Sequence, residues 1–185
     1  NVSPLKDLRS LTILALDSTR VSYTKPLSGL QALKILRMNF TLLSDLHAFE
    51  DLPSIERIYC DQTSISRAMA DAFMTSRRGV LVIYDSKDFK GWWDSLPISW
   101  QKVFRDAAQT ASLPTNEELT KITNLDSVNV SGNSGIKDIE PLQRLQKLHT
   151  LILRGTEINN LSALQEHKSI RRLDISDTQI EDISL

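Results

Sequence analysis

Few side chains in this chain have types and spacings that could do chemistry. The single cysteine, Cys60, excludes an internal disulfide and a cysteine metal cluster. His47, His149 and His167 lie far apart, none with a second ligand at metal spacing, and read as ordinary surface or loop residues. There is no glycine-rich phosphate loop, no G-x-S-x-G motif and no paired carboxylate setting suited to acid–base work. What the sequence offers instead is recognition chemistry: Arg37, Asn39, Arg57, Tyr59 and Asp61 within one stretch, and three tryptophans crowded into residues 92–100.

The elements that position these residues come from a repeat. Leu14, Leu36, Ile58 and Val80 are each 22 residues apart, with Leu16, Met38, Cys60 and Val82 two places on. After an interruption the ladder resumes at Val128 and Val130, Leu151 and Leu153, and Leu173 and Ile175. Apolar residues alternate with polar ones in each unit, the pattern of a half-buried strand. A short side chain closes most strands, at Thr19, Thr41, Thr63, Asp85, Asn133, Thr156 and Thr178, placed to satisfy turn amides as an acceptor. Two residues later comes an apolar plug, among them Val21, Leu43, Ile65, Ile158 and Ile180. The fourth unit departs most, with Arg77 where a leucine is due and Lys87 at the plug. Stacked units of this kind bury a continuous core and give seven strands, expected to form one sheet.

The consensus L-x-x-L-x-L-x-x-[NT]-x-I-x-x-[IL]-x-x-L resembles the short bacterial leucine-rich repeat of internalin-like surface proteins, over residues 1–85 and 115–185. That resemblance implies an α/β solenoid, with parallel strands on a concave face and turns or short helices on the convex side. It also implies an extracytoplasmic location and a role in binding protein. On the register read from the ladder, the outward central row contains Arg37, Tyr59, Leu81 and Ile152; the row after it contains Asp17, Asn39, Asp61, Ile83 and Arg154; the row before it contains Ile13, Ile35, Arg57 and Gly79. The expected partner-binding set is therefore Arg37, Asn39, Arg57, Tyr59, Asp61, Leu81, Ile83, Ile152 and Arg154.

Between Val82 and Val128 the ladder skips 46 residues. Trp93, Leu96, Trp100, Val103, Phe104 and Ala107 fall at steps of three and four there, one apolar face of a helix, and Pro97 divides it into two pieces. Thr115-Asn116-Glu117-Glu118 reads as a capping box opening another short helix. The W-W-x-x-L-x-x-x-W-x-x-x-F pattern resembles helical insertions in leucine-rich-repeat proteins of gut-type Bacteroidetes. Aromatic residues at this spacing read as core, with Trp92 off the stripe. Trp92 and neighbouring Tyr84 are accordingly the residues on which an alternative carbohydrate-binding or adhesin reading rests.

Composition limits the partners. With 22 basic and 23 acidic side chains the net charge is −1, which supports neither nucleic-acid nor membrane-surface binding. No apolar run approaches the roughly 20 residues that span a bilayer. The start at Asn1-Val2-Ser3-Pro4-Leu5 and the end at Glu181-Asp182-Ile183-Ser184-Leu185 both read as repeat tails, the pattern of a fragment or of a mature chain that has lost a leader. The expectation is thus one leucine-rich-repeat domain over residues 1–185 with a helical insertion at 86–118. It is expected to be monomeric and non-enzymatic, to need no metal or cofactor, and to bind a protein or peptide, the third reading being the recognition segment of a larger bacterial effector.

Overall fold

A computed structural model describes residues 1–181; residues 182–185, part of the expected C-terminal repeat tail, lie outside the described residues. The chain forms two compact units, Asn1–Ser86 and the residues from Lys87 onward.

In the first unit four parallel strands are hydrogen-bonded in chain order: β1 (Ile13–Ala15), β2 (Ile35–Arg37), β3 (Arg57–Tyr59) and β4 (Leu81–Ile83). 3₁₀ turns at Lys25–Gly29 and His47–Phe49 form the returns between the first three. Leu27, Leu30, Leu33, Leu36, Met38, Phe49, Leu52 and Ile58 are completely buried, so each repeat covers the apolar row of the next. At about 1.5–3 kcal/mol for each large aliphatic side chain, this stack is the main cohesive force.

Two features of this unit differ from the ladder. The return before β4 is an α-helix, α1 (Arg67–Ser76), capped by the Ser66 hydroxyl accepting the Met69 N–H at 3.3 Å, with Ala70 and Phe73 buried beneath it. The helix lengthens the fourth repeat: Ile58 pairs with Val82, not Val80, so the register expected there is corrected by two residues. Asp85 then stands two residues beyond Ile83 as Asp61 does beyond Tyr59, not at the closing position. Arg77, where a leucine was due, donates from its guanidinium to the backbone carbonyls of Glu50 and Leu52.

The threonines close turns differently from the expected role. Thr19, Thr41, Thr63, Thr156 and Thr178 each donate their hydroxyl at 2.7 Å to the carbonyl three residues earlier. Acceptance from an amide two residues on is the longer contact, 3.4 Å at Leu43 and 3.3 Å at Ile65. The residue before each of these turns is left-handed, at Ser18, Phe40, Gln62, Gly155 and Asp177.

Helix α2 (Ser86–Ser95) begins at the last residue of the first unit, and the second unit continues with α3 (Ile98–Ala108) and α4 (Asn116–Thr123), followed by β5 (Ser127–Asn129), β6 (Thr150–Ile152) and β7 (Arg172–Asp174). These strands form their own parallel sheet in the register read from the ladder. Among the described residues seven strands are therefore present, but as a four-stranded and a three-stranded sheet instead of one. The extra residues between Val82 and Val128 are taken up by helix, and α3 packs along β5.

The break at Pro97 and the capping box are both present. Thr115 N–H donates to Glu118 at 2.7 Å, and Glu118 N–H to the Thr115 hydroxyl at 3.3 Å. Trp93, Leu96, Trp100, Val103 and Phe104 are buried, whereas Ala107, expected on the same stripe, is exposed. The Trp100 indole N–H donates to the Asp138 carbonyl at 3.2 Å, tying α3 to the turn beyond β5. Arg144 pairs with Asp88 and lies 5.2 Å from the Phe89 ring centroid, fastening α2 to the 3₁₀ turn Glu140–Arg144.

Candidate recognition face

Strand alternation puts Ile13, Ala15, Ile35, Arg37, Arg57 and Tyr59 on the face opposite the leucine core. Cross-strand neighbours on this face are Arg37 and Tyr59, and Ile35 and Arg57. The Arg37 guanidinium carbon lies 5.0 Å from the Tyr59 ring centroid. Its Nε donates to Asp17 Oδ2 at 2.9 Å, while Asp17 Oδ1 accepts the Asn39 N–H at 2.8 Å. One carboxylate thus joins two repeats and holds the arginine over the aromatic ring.

Asn39 and Asp61 have a task the sequence reading missed. Asn39 Oδ1 accepts the Asp61 N–H at 2.9 Å, and Asp61 Oδ1 accepts the Ser86 N–H at 2.8 Å. Together with Asp17 they form a ladder, each side-chain oxygen satisfying an amide one repeat on. The signal was present as short polar acceptors at 17, 39 and 61, spaced by 22. Their row was legible but their bonding was not.

The fold is that of the leucine-rich repeat. What decides it is the run of three-residue parallel strands, 22 residues apart through β1–β3, each followed by a polar-capped turn and a short return. No protein-family model and no curated protein matches the sequence. Among solved structures the chain is similar to an internalin (inlF) of Listeria monocytogenes, at 20% identity and TM-score 0.38, covering 99% of this chain and 46% of that one. A second Listeria monocytogenes internalin, C2, matches at 21% identity and TM-score 0.37, over 97% and 68%. A leucine-rich-repeat protein of Leptospira interrogans matches at 17% and 0.34, over 96% and 40%. The chain therefore spans about half the length of the first of these. The repeat assignment stands on the chain's own register.

Within this leucine-rich-repeat frame the other expected residues separate. Arg57 and Leu81 are half-buried cross-strand neighbours, which moves Leu81 out of the Tyr59 row. Ile83 occupies that row instead, but it is fully buried and presents no surface. In the second unit Ile152 is half-buried, and the exposed Arg154 donates to Asp177 at 3.1 Å. The aromatic pair behind the carbohydrate alternative is not an open platform. Tyr84 is 2% exposed, and Trp92 is half-buried with its ring 5.5 Å from that of Phe104.

Cys60 is buried, with its thiol directed at the Ile83 carbonyl at 3.5 Å, and burial raises its pKa, the opposite of an activated thiol. His167 lies in a loop, one of the two expected settings, but is buried there, whereas His47 is exposed and 3.1 Å from Asp45. Among the described residues no cluster of three or more His, Cys, Asp or Glu could hold a metal ion, and no helix is long and apolar enough to cross a membrane.

Proposed function

We propose that this chain is a non-enzymatic recognition module that binds a protein or peptide on the outward strand face of β1–β3. The observation that carries the proposal is the Asp17-held stacking of Arg37 on Tyr59. Arginine and tyrosine are the side chains most often found as energetic anchors of interfaces, and a pair fixed before contact loses little entropy on binding. Ile13, 56% exposed on the same face, and Phe40, 62% exposed at the turn after β2, add apolar area beside it. Arg57 supplies charge next to the pair, and Asn39 and Asp61 act through the ladder beneath.

In this reading residues 1–185 work as one recognition domain with an insertion at 86–118, in an extracytoplasmic setting, as a monomer and without a cofactor. Photo-cross-linking tests it. p-Benzoylphenylalanine placed at Tyr59 should capture a partner from the source cell's surface and culture fractions, while the same group at exposed Ser28 on the return turn should not. Equal or stronger capture from Ser28 would move the site off the strand face.

A further inference from the structure

Helix α3 packs along β5, and side chains of the two elements enclose an open cleft of about 590 Å³. Ser127, Asn129 and Ser131 are exposed and alternate with buried Val128 and Val130, so all three stand on one side of the strand, followed by Asn133 in the turn beyond. Lys102 and Asp106 line the cleft from α3, with Val103 and Ala107 as its apolar floor. A cleft with this many polar groups selects a polar ligand, and the bonds those groups already make say which one.

Lys102 and Asp106 stand one helical turn apart. At the same spacing and in the same order, Lys90 and Asp94 on α2 close an ion pair at 3.1 Å. On α3 neither charge forms an ion pair among the described residues. The strand wall is partly committed. Asn129 Oδ1 accepts both the Ser131 N–H, at 2.9 Å, and the Ser131 hydroxyl, and Asn133 Oδ1 accepts the Gly135 N–H at 3.0 Å. Both carboxamides therefore keep their Nδ2 hydrogens for a ligand, and the Ser131 hydroxyl, having given its hydrogen to Asn129, keeps its lone pairs.

The order along the cleft follows from the helix direction. Ser99 lies 3.6 Å from a Cβ built on Gly135, and the Trp100 indole bonds Asp138, so α3 starts beside the turn beyond β5 and runs back along the strand. Lys102 thus stands at the Asn133 end, and Asp106 at the Ser127 end, in the last turn of α3, where the helix dipole also favours a cation. Four helical residues advance about 6 Å, and a fully extended chain of two residues spans at most about 7 Å. We propose that this cleft binds a free dipeptide as its zwitterion. The carboxylate meets Lys102 and the Asn133 amide, and the ammonium meets Asp106 and the Ser127 hydroxyl. Between them the peptide carbonyl accepts from Asn129 Nδ2 and the peptide N–H donates to the Ser131 hydroxyl, with small side chains resting on Val103 and Ala107. This site is separate from the Arg37–Tyr59 face and does not depend on it.

The test titrates the 185-residue chain with Ala-Ala and follows the side-chain amide resonances of Asn129 and Asn133 by NMR. Both should shift and saturate at millimolar dipeptide. N-acetyl-Ala-Ala lacks the ammonium and Ala-Ala amide lacks the carboxylate, and each should bind about threefold more weakly, the worth of one exposed charge pair. Asp106→Asn should weaken Ala-Ala by the same factor yet leave the acetylated peptide unaffected, and Lys102→Gln should do likewise for Ala-Ala and its amide, the coupling that a double-mutant cycle reads. Both substituted side chains are exposed, so the fold is kept, and Tyr59→Ala should leave every affinity unchanged. Unmoved Asn129 and Asn133 resonances at millimolar Ala-Ala, equal binding of the free and acetylated dipeptides, or an Asp106→Asn loss of the same size with either peptide would overturn the proposal. So would tighter binding of free alanine or of glucuronate, which would assign the cleft to a single amino acid or to an acidic sugar.

Discussion

Arg37 stacks on Tyr59 across two strands because Asp17, in the turn after β1, holds its guanidinium there. Neither stacked residue belongs to the inward row, so both can be removed without opening the core. Arg37→Ala together with Tyr59→Ala is expected to lower stability by no more than about 1 kcal/mol, the scale of an exposed cation–π contact. Against a partner recovered by cross-linking, the same pair should cost more than about 2 kcal/mol of binding. Thermal melts and calorimetric titration check the two halves. Replacing Lys34 and Lys147 should leave affinity unchanged, and loss there with no loss in the Arg37–Tyr59 pair would refute the assignment.

The ladder beneath that pair makes a chemical prediction. Asn39 acts through an oxygen that accepts the Asp61 amide. Asn39→Asp keeps an acceptor and should be tolerated, whereas Asn39→Leu leaves a partly buried N–H unpaired and should cost about 1–3 kcal/mol. Urea midpoints at pH 7 decide it; equal destabilisation by the two substitutions would show that the side-chain oxygen is not what matters.

How much of this was readable beforehand follows from the period of a strand. The 22-residue recurrence of Leu14, Leu36 and Ile58 placed three strands and their faces correctly. The same alternation concealed the error at β4. Val80 and Val82 are both apolar and two residues apart, and a slip of two keeps every side chain on its own face. Only the helix α1 reveals the extra length, and its sequence signal was Ser66 at the N-cap ahead of Ala70 and Phe73. The burial of Ile83 and the ladder role of Asp61 depend on tertiary neighbours that no local pattern encodes.

In the second unit the indole of Trp100 is 1% exposed, stacked 5.1 Å from Phe104 and bonded to Asp138. Trp100→Ala should cost about 3–5 kcal/mol, a large part of the stability of a typical domain. Trp92→Ala, removing a half-buried ring, should cost clearly less. Denaturant unfolding followed by circular dichroism measures both, and a Trp100→Ala protein as stable as the parent would place that indole outside the core.

Gly155 has φ +67°, and a Cβ built on it meets nothing closer than 3.8 Å. The cost of Gly155→Ala is therefore conformational, about 1 kcal/mol or slightly more. Phe40 is the reverse case, a 62% exposed aromatic residue at φ 57°. Phe40→Gly should raise the melting temperature slightly while weakening partner binding if its ring belongs to the recognition face. A Gly155→Ala protein with an unchanged melting temperature would contradict the backbone argument.

His167 gives the chain a predictable response to acid. Burial holds its pKa below the ordinary value, with an opposing contribution from the Leu142 backbone. The unfolded chain therefore binds this proton more readily than the folded one, and the stability contributed by the neutral ring is fully present above the unfolded-state value of about 6.5. It declines as the pH falls through that value towards the lower folded-state pKa, and then levels off. His167→Gln, which cannot titrate, should be less stable than the parent at pH 8 yet lose less stability on going to pH 5. Urea midpoints for both proteins across that range provide the comparison, and parallel pH profiles would show that another group controls the acid response.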